Sequence, residues 1–74
     1  MSKKKNPNYN RIKAVLAEKG KSGKWLAAEL KKDPTTVSGW CTNRIQPSVE
    51  TLFDVAKKLK VNVRELLVPT EGEK

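Results

Sequence analysis

The sequence contains no histidine and a single cysteine, Cys41. A disulfide within the chain is therefore excluded, and no set of Cys and His residues is present to hold a structural zinc ion. No apolar run is long enough to span a membrane, and the lysines near the start are not followed by the apolar stretch of a signal peptide. We therefore expect a cytoplasmic protein whose 74 residues fold as one domain by packing alone.

Features of enzymes are also missing from the sequence. Besides lacking histidine, the chain has no glycine loop that would cradle a phosphate and no cluster of acids placed for metal binding or proton transfer. We therefore expect neither an enzyme nor a bound cofactor.

Positive charge is concentrated in the first two-thirds of the chain. The net charge at pH 7 is +8, and the first 48 residues hold eleven Lys or Arg against three acidic residues, whereas the remaining residues hold five of each. This asymmetry indicates one basic face and a polyanionic partner. The alternative is a solvated surface that is merely rich in lysine.

The first third of the chain reads as an arm followed by two short helices. Residues 1–8 are too polar to bury a core and are expected to form a flexible basic arm. Apolar residues at helical spacing predict a helix from Tyr9 to Lys19, which Gly20 would end. Ser22 can cap a second helix that carries the apolar residues of the segment WLAAEL.

Asp33 followed by Pro34 is the strongest local signal of a helix start. Aspartate accepts hydrogen bonds from free amides at a helix N-terminus, and proline is preset for the first helical position. A third helix is therefore predicted from Pro34, ending by Asn43. Its inward residues would be Val37 and Trp40, and the residues left on its outer side are Thr35, Thr36, Ser38 and Gly39.

Two more helices are predicted in the last third. Ser48 can cap a longer one, whose expected inner stripe is Val49, Leu52, Phe53, Ala56 and Leu59. Asn62 and Glu65 resemble a capping box that opens a final helix before Pro69. Five helices without a strand pattern predict an all-α domain over residues 9–68, with a disordered tail at 69–74.

The segment GKWLAAELKKDPTTVSGWCTN, residues 23–43, resembles the helix-turn-helix of the Cro and phage-repressor type DNA-binding family. The following segment TNRIQPSVETLFDVAKKLKVNVRELL, residues 42–67, resembles the later helices of the same family. The resemblance implies a five-helix lambda-repressor-like domain that binds double-stranded DNA and regulates transcription, most simply as a bacterial or phage repressor. In that family the second helix crosses the phosphate backbone and the third enters the major groove.

The resemblance also implies which residues contact DNA. The residues expected to reach base edges are Pro34, Thr35, Thr36, Ser38 and Gly39. Those expected at phosphates are Ser22, Gly23 and Lys24 at the start of helix two, and Thr42, Asn43 and Arg44 after helix three. The outer side of helix three lacks the Arg, Lys, Asn or Gln side chains that form two hydrogen bonds with one base. We therefore expect weak direct recognition of bases, supplemented by recognition of DNA shape.

Two positions depart from the family pattern. Lys31 stands in the turn where the family usually has glycine, because one residue there takes a positive φ. Either Lys31 tolerates that strain or the turn differs. Lys32 replaces a common apolar residue, and its aliphatic stem could substitute for one.

Other partners remain open at this stage. An antitoxin would bind a protein toxin and use its DNA affinity for autoregulation, although the five residues beyond Pro69 are short for a neutralising segment. RNA binding would favour exposed aromatic residues, which are few. A homodimer is expected because one domain contacts only one half-site. The candidate dimer residues, which could equally be core, are Val61, Val63, Leu66 and Leu67.

Overall fold

The computed structural model describes residues 8–70 and shows four α-helices followed by one turn of 3-10 helix. The helices are α1 (Ile12–Glu18), α2 (Gly23–Leu30), α3 (Pro34–Cys41) and α4 (Val49–Leu59), and the 3-10 turn is Val63–Leu66. The all-α class is confirmed for these residues, but the expected fifth helix is wrong, because that segment forms only a single 3-10 turn. Most of the predicted arm (residues 1–7) and of the predicted tail (71–74) lies outside the described residues.

The helix starts follow the predicted capping residues. Ser22 Oγ accepts a hydrogen bond from Trp25 N at 3.0 Å, and Asp33 Oδ1 accepts one from Thr35 N at 2.8 Å. Ser48 Oγ accepts one from Thr51 N at 3.1 Å, which begins α4. These bonds satisfy amides that the first helical turn leaves without a backbone partner, so short-range chemistry sets where each helix begins.

The first helix begins three residues later than the sequence predicted. Tyr9 and Arg11 pair with the other end of the chain instead: Arg11 N donates to Leu66 O at 2.8 Å, and Val68 N donates to Tyr9 O at 2.9 Å. Asn10 between them forms an antiparallel bridge with Leu67. Asn10 Oδ1 then accepts a hydrogen bond from Ile12 N at 3.0 Å, so the side chain of Asn10 starts the helix.

One apolar core joins all five elements. Leu26 and Ala27 from α2 share this core with Val37 and Trp40 from α3, the two residues of α3 that the sequence predicted to face inward. The remaining core residues are Ile12, Val15, Leu16, Leu52, Val55, Ala56, Leu59 and Leu66. Within residues 8–70, no helix combines the length and apolarity that crossing a membrane requires.

The inner stripe of α4 differs from the predicted one. Val49 and Phe53 are exposed to 69% and 54%, whereas Val55 is fully buried. The buried residues of α4 are therefore spaced 52, 55, 56 and 59, which is the pattern of one helix face. The predicted stripe failed because Val49 and Phe53 also recur at helical spacing, but on the exposed flank of the buried residues.

The predicted dimer residues are also largely used inside the fold. Leu66 is fully buried, and Val61 and Val63 pack against the core. Leu67 alone of the four is exposed, to 41%. The last residues of the domain therefore supply mainly core packing.

Candidate nucleic-acid interface

The turn between α2 and α3 is closed by a lysine in the left-handed conformation. Lys31 has φ 57° and ψ 46°, the conformation for which the family usually uses glycine. Lys32 N donates to Ala27 O at 2.9 Å, which satisfies a carbonyl at the end of α2. The strain is therefore present and tolerated. Lys32 is exposed, so it does not take the place of a core residue.

Close packing of α2 on α3 brings the start of each helix to the same surface. Gly23, at the start of α2, lies where an added Cβ would be 3.7 Å from Val37 Cγ1, an ordinary contact distance. Buried Leu26, Ala27, Val37 and Trp40 hold this crossing from the inside. The two helix starts can therefore face one ligand together.

The exposed side of α3 and the start of α2 line one shallow depression. Its residues are Gly23, Lys24, Pro34, Thr35 and Ser38. Three of these were predicted to reach base edges and two to contact phosphate, so the structure brings both groups together. Thr36 lies beside them but is half-buried. Ser22 is exposed at the adjacent cap, where its hydroxyl oxygen already accepts from Trp25 N.

The outward placement predicted for Gly39 is wrong. Gly39 is buried, and an added Cβ would lie 2.7 Å from Ile45 Cδ1 and 3.3 Å from an Arg44 guanidinium nitrogen. The chain folds back over this glycine, since Arg44 N and Ile45 N both donate to Gly39 O, at 2.9 and 3.1 Å. Gly39 therefore admits the loop that follows α3.

The three residues predicted as the second phosphate cluster have different environments. Thr42 and Arg44 are exposed, and the Thr42 hydroxyl donates to Ser38 O at 3.1 Å. Asn43 is only 7% exposed, and its side chain is occupied inside the protein. Asn43 Oδ1 accepts from the amides of Tyr9 and Asn10, at 2.9 and 3.0 Å. The phosphate contact predicted for the Asn43 side chain is therefore not supported by its position.

Two cations beside this depression were not predicted as contact residues. A groove between α1 and α3 is lined by Lys13 and Lys21 together with Ser38, Cys41 and Thr42. Both lysines were counted in the basic excess, but only the packing of α1 on α3 shows that they adjoin α3. These ammonium groups extend positive charge along the surface that also carries Lys24.

Cys41 lies in the same groove and is partly buried. Burial raises the pKa of the Cys41 thiol above its ordinary value, and the positive charge of Lys13 acts in the opposite direction. A thiol with a raised pKa is a poor nucleophile at neutral pH. We therefore expect Cys41 to be unreactive at neutral pH.

Trp25 marks a second basic region next to the interface. The Nζ atom of Lys21 lies 4.9 Å from the centroid of the Trp25 ring, within the range of a cation–π contact. Trp25 and Leu59 also line a cavity with further lysines, which are Lys19, Lys58 and Lys60. Trp25 itself is partly buried.

The sequence matches a known family, and the fold resembles a known structure. A family model described as helix-turn-helix matches residues 12–66, from the start of α1 to the end of the 3-10 turn. The structure is similar to the crystal structure of a candidate DNA-binding protein from Bacteroides fragilis. The TM-score is 0.79 with 47% sequence identity, and the alignment covers 80% of this chain and 95% of that chain. No curated protein matches the chain.

Proposed function

The chain belongs to the Cro and phage-repressor type helix-turn-helix family, and on this basis we propose that it is a transcriptional regulator that binds double-stranded DNA through α3. One observation carries the proposal. The exposed residues at the start of α3 share a surface with the start of α2, and lysines flank that surface on two sides. A major groove about 12 Å wide admits such a helix while the adjacent cations meet phosphates.

Base contacts come from a small set of short side chains. Pro34, Thr35 and Ser38 are exposed at the depression, and half-buried Thr36 adjoins them. Hydroxyl groups can donate a hydrogen bond to a base edge or accept one from it, and threonine methyls contact thymine methyls. Direct readout is therefore shallow, and sequence preference depends also on DNA shape and on half-site spacing.

Phosphate contacts come from both ends of the helix-turn-helix. Ser22, Gly23 and Lys24 lie at the start of α2, and Thr42 and Arg44 follow α3. Lys13 and Lys21 join this set because they line the groove beside Ser38. Two copies bind two half-sites one helical turn apart, which is the common arrangement for helix-turn-helix dimers.

The decisive experiment selects bound duplexes from a random pool and then measures affinity for the selected site at two salt concentrations. Lys24→Gln is expected to make the negative slope of log K against log salt shallower by about 0.9, the value for one phosphate contact. Arg64→Gln removes one charge from the end of the domain that carries the 3-10 turn, so it serves as the matched control and is expected to leave the slope unchanged.

The base-reading residues need a separate readout. The double variant with Thr35→Ala and Ser38→Ala is expected to change the preferred bases while the salt slope stays constant. Duplex affinity that is indifferent to this variant, to Lys24→Gln and to Arg44→Gln would exclude the proposal. A reporter placed behind the selected site shows the direction of regulation, and a repressor lowers its transcription.

A further inference from the structure

A cavity of about 290 Å³ beside the C-terminal ends of α1 and α4 is lined mainly by lysines. Its apolar lining residues are Trp25 and Leu59. The others form a lysine cluster, which consists of Lys19, Lys21, Lys58 and Lys60. Two of these lysines come from the basic part of the sequence and two from the part whose charges cancel. Folding therefore concentrates positive charge here beyond what the sequence asymmetry contains.

The backbone that carries the cluster is fixed by two left-handed residues. Gly20, with φ 68°, follows the end of α1, and Lys60, with φ 59°, follows the end of α4. After the first of these turns, Lys21 N donates to Leu16 O at 2.8 Å. The lysines are therefore held near one another before any ligand arrives, which reduces the entropic cost of binding one.

The positive charge of the cluster is only partly balanced within residues 8–70. Lys58 Nζ lies 3.6 Å from Glu29 Oε1, and this is the one ion pair of the cluster in that part of the chain. Asp54 lies one helical turn before Lys58 but forms no ion pair with it. The ends of α1 and α4 contribute about half a negative charge each. About two of the four positive charges are therefore left for an external anion.

Lys21 connects this cluster to the surface proposed to bind DNA. It lines both the cavity and the groove that contains Lys13, Ser38 and Thr42. The cavity shares no lining residue with the depression at the start of α3. The cluster therefore continues the proposed phosphate contacts past the loop between α1 and α2, away from the residues proposed to reach bases.

We infer that the lysine cluster binds backbone phosphates of the duplex that flanks the half-site, outside the bases that α3 contacts. The inference rests on the proposed function. Duplex DNA carries one charge per ~1.7 Å of its axis, which is dense enough to meet two ammonium groups at once. Because the cavity and the depression are separate surfaces, the flanking duplex curves toward the ends of α1 and α4 to reach the cluster.

The dimensions of the domain set the length of DNA that this contact needs. The intermediate dimension of the domain is 25 Å. At 3.4 Å per base pair, that distance corresponds to about seven base pairs. A duplex that ends at the selected site is therefore too short to occupy the cluster, and one extended by about ten base pairs on each side is long enough.

The test compares the salt dependence of affinity on these two duplexes. The wild-type chain is expected to show a steeper negative slope of log K against log salt on the extended duplex. The difference should be about 1.8 per bound copy, because each phosphate contact contributes about 0.9. Equal slopes on the two duplexes would overturn the inference.

The double variant with Lys19→Gln and Lys60→Gln is expected to abolish this difference without changing the slope on the short duplex. Glutamine at residue 60 keeps a side chain in the left-handed position, so the backbone strain is matched. The control is the double variant with Lys57→Gln and Arg64→Gln, which removes two exposed cations that do not line the cavity. It should keep the difference. Circular dichroism melts check that both variants fold. A difference that survives in the Lys19 and Lys60 variant would exclude the cluster.

Curvature of the flanking DNA has its own readout. Energy transfer between dyes at the two ends of the extended duplex is expected to rise when the wild-type chain binds, because curvature brings the ends closer. It should rise less with the Lys19 and Lys60 variant than with the control variant. The same rise with both variants would contradict a contact at the cluster.

Trp25 fluorescence reports on the cavity directly, because Lys21 Nζ lies 4.9 Å from the centroid of its ring. Trp25 emission is expected to change more on the extended duplex than on the short one. Trp25→Phe should remove this signal, since the remaining tryptophan, Trp40, is buried. A saturable response to pyrophosphate, with no effect of duplex length, would assign the cluster to a small anion and overturn the inference.

Failure of this contact and failure of DNA binding give different results. A chain that binds the short duplex with a slope that depends on Lys24, but gains nothing from the extension, refutes this inference and leaves the proposed function standing. A chain that binds neither duplex refutes the proposed function, and the inference fails with it.

Discussion

Asn10 and Asn43 are joined by reciprocal hydrogen bonds between the start of the domain and the segment that ends α3. Asn10 N donates to Asn43 Oδ1 at 3.0 Å, and Asn43 Nδ2 donates to Asn10 O at 3.1 Å. Asn10 Nδ2 also donates to Trp40 O at 3.0 Å. The chain entering α1 is therefore attached to the last turn of α3, and Asn43 takes a left-handed φ of 60° to make this possible.

Replacing Asn43 is expected to destabilise the fold more than replacing an exposed cap. Asn43→Ala leaves the amides of Tyr9 and Asn10 without their acceptor, which costs about 2–3 kcal/mol. Asn62→Ala removes one exposed cap at the 3-10 turn and costs about 1 kcal/mol. Urea unfolding measures both. If Asn43→Ala were no worse than Asn62→Ala, the reciprocal bonds would not contribute as described.

Lys31→Gly is expected to stabilise the protein. A non-glycine residue in the left-handed region costs roughly 1–2 kcal/mol, which glycine would relieve. The greater freedom of glycine in the unfolded chain offsets about 0.5–1 kcal/mol of this stabilisation. The melting temperature should therefore rise by a few degrees.

Lys32→Gly is the matched control for this change, since Lys32 is a neighbouring exposed lysine whose φ is not positive. It should lower the melting temperature, because it adds only unfolded-state freedom. A melting temperature that stays constant or falls in Lys31→Gly would show that the left-handed lysine carries no strain.

The effect of Gly39→Ala on stability should depend on Ile45, the residue that covers Gly39. Alanine is better than glycine in a helix interior by about 1 kcal/mol, but its Cβ would lie 2.7 Å from Ile45 Cδ1. We expect the two effects largely to cancel in the wild-type background. In an Ile45→Ala background the clash is removed, and Gly39→Ala should stabilise by about 1 kcal/mol. Equal effects in the two backgrounds, measured by urea unfolding, would rule out this contact.

Cys41 should react slowly with iodoacetamide in the folded protein. Burial raises the pKa of its thiol, so at neutral pH the folded chain holds less thiolate than the unfolded chain. As pH is raised, the alkylation rate of the folded protein in buffer should therefore begin to rise at a higher pH than that of the unfolded protein in urea. The same shift favours the folded state below the unfolded pKa, and this contribution is lost as pH rises through the raised folded value.

Lys13→Gln offers an internal check on this assignment. The positive charge of Lys13 favours the thiolate, so removing it should raise the pKa of Cys41 further and slow alkylation again. An alkylation profile that is the same for folded and unfolded protein would contradict the role given to burial.

Much of the candidate interface could be predicted from sequence because it depends on local signals and on a family resemblance. Lys24, Thr35 and Ser38 were predicted as contact residues and lie together at one depression. Gly39 and Asn43 were assigned by their place in the motif, but both are buried. Their burial depends on Ile45 folding back and on Asn10 arriving from the start of the chain, neither of which a local pattern contains.

Sequence by itself determined where the helices α2, α3 and α4 begin, because the caps Ser22, Asp33 and Ser48 act on amides two or three residues away. The tertiary structure alone decided which side of each helix is covered. Val49 and Phe53 have the same spacing as a core stripe, yet Val55 is the residue that α4 buries. The physical reason is that the rotation of a helix about its axis depends on the neighbours it packs against, and those neighbours come from distant parts of the chain.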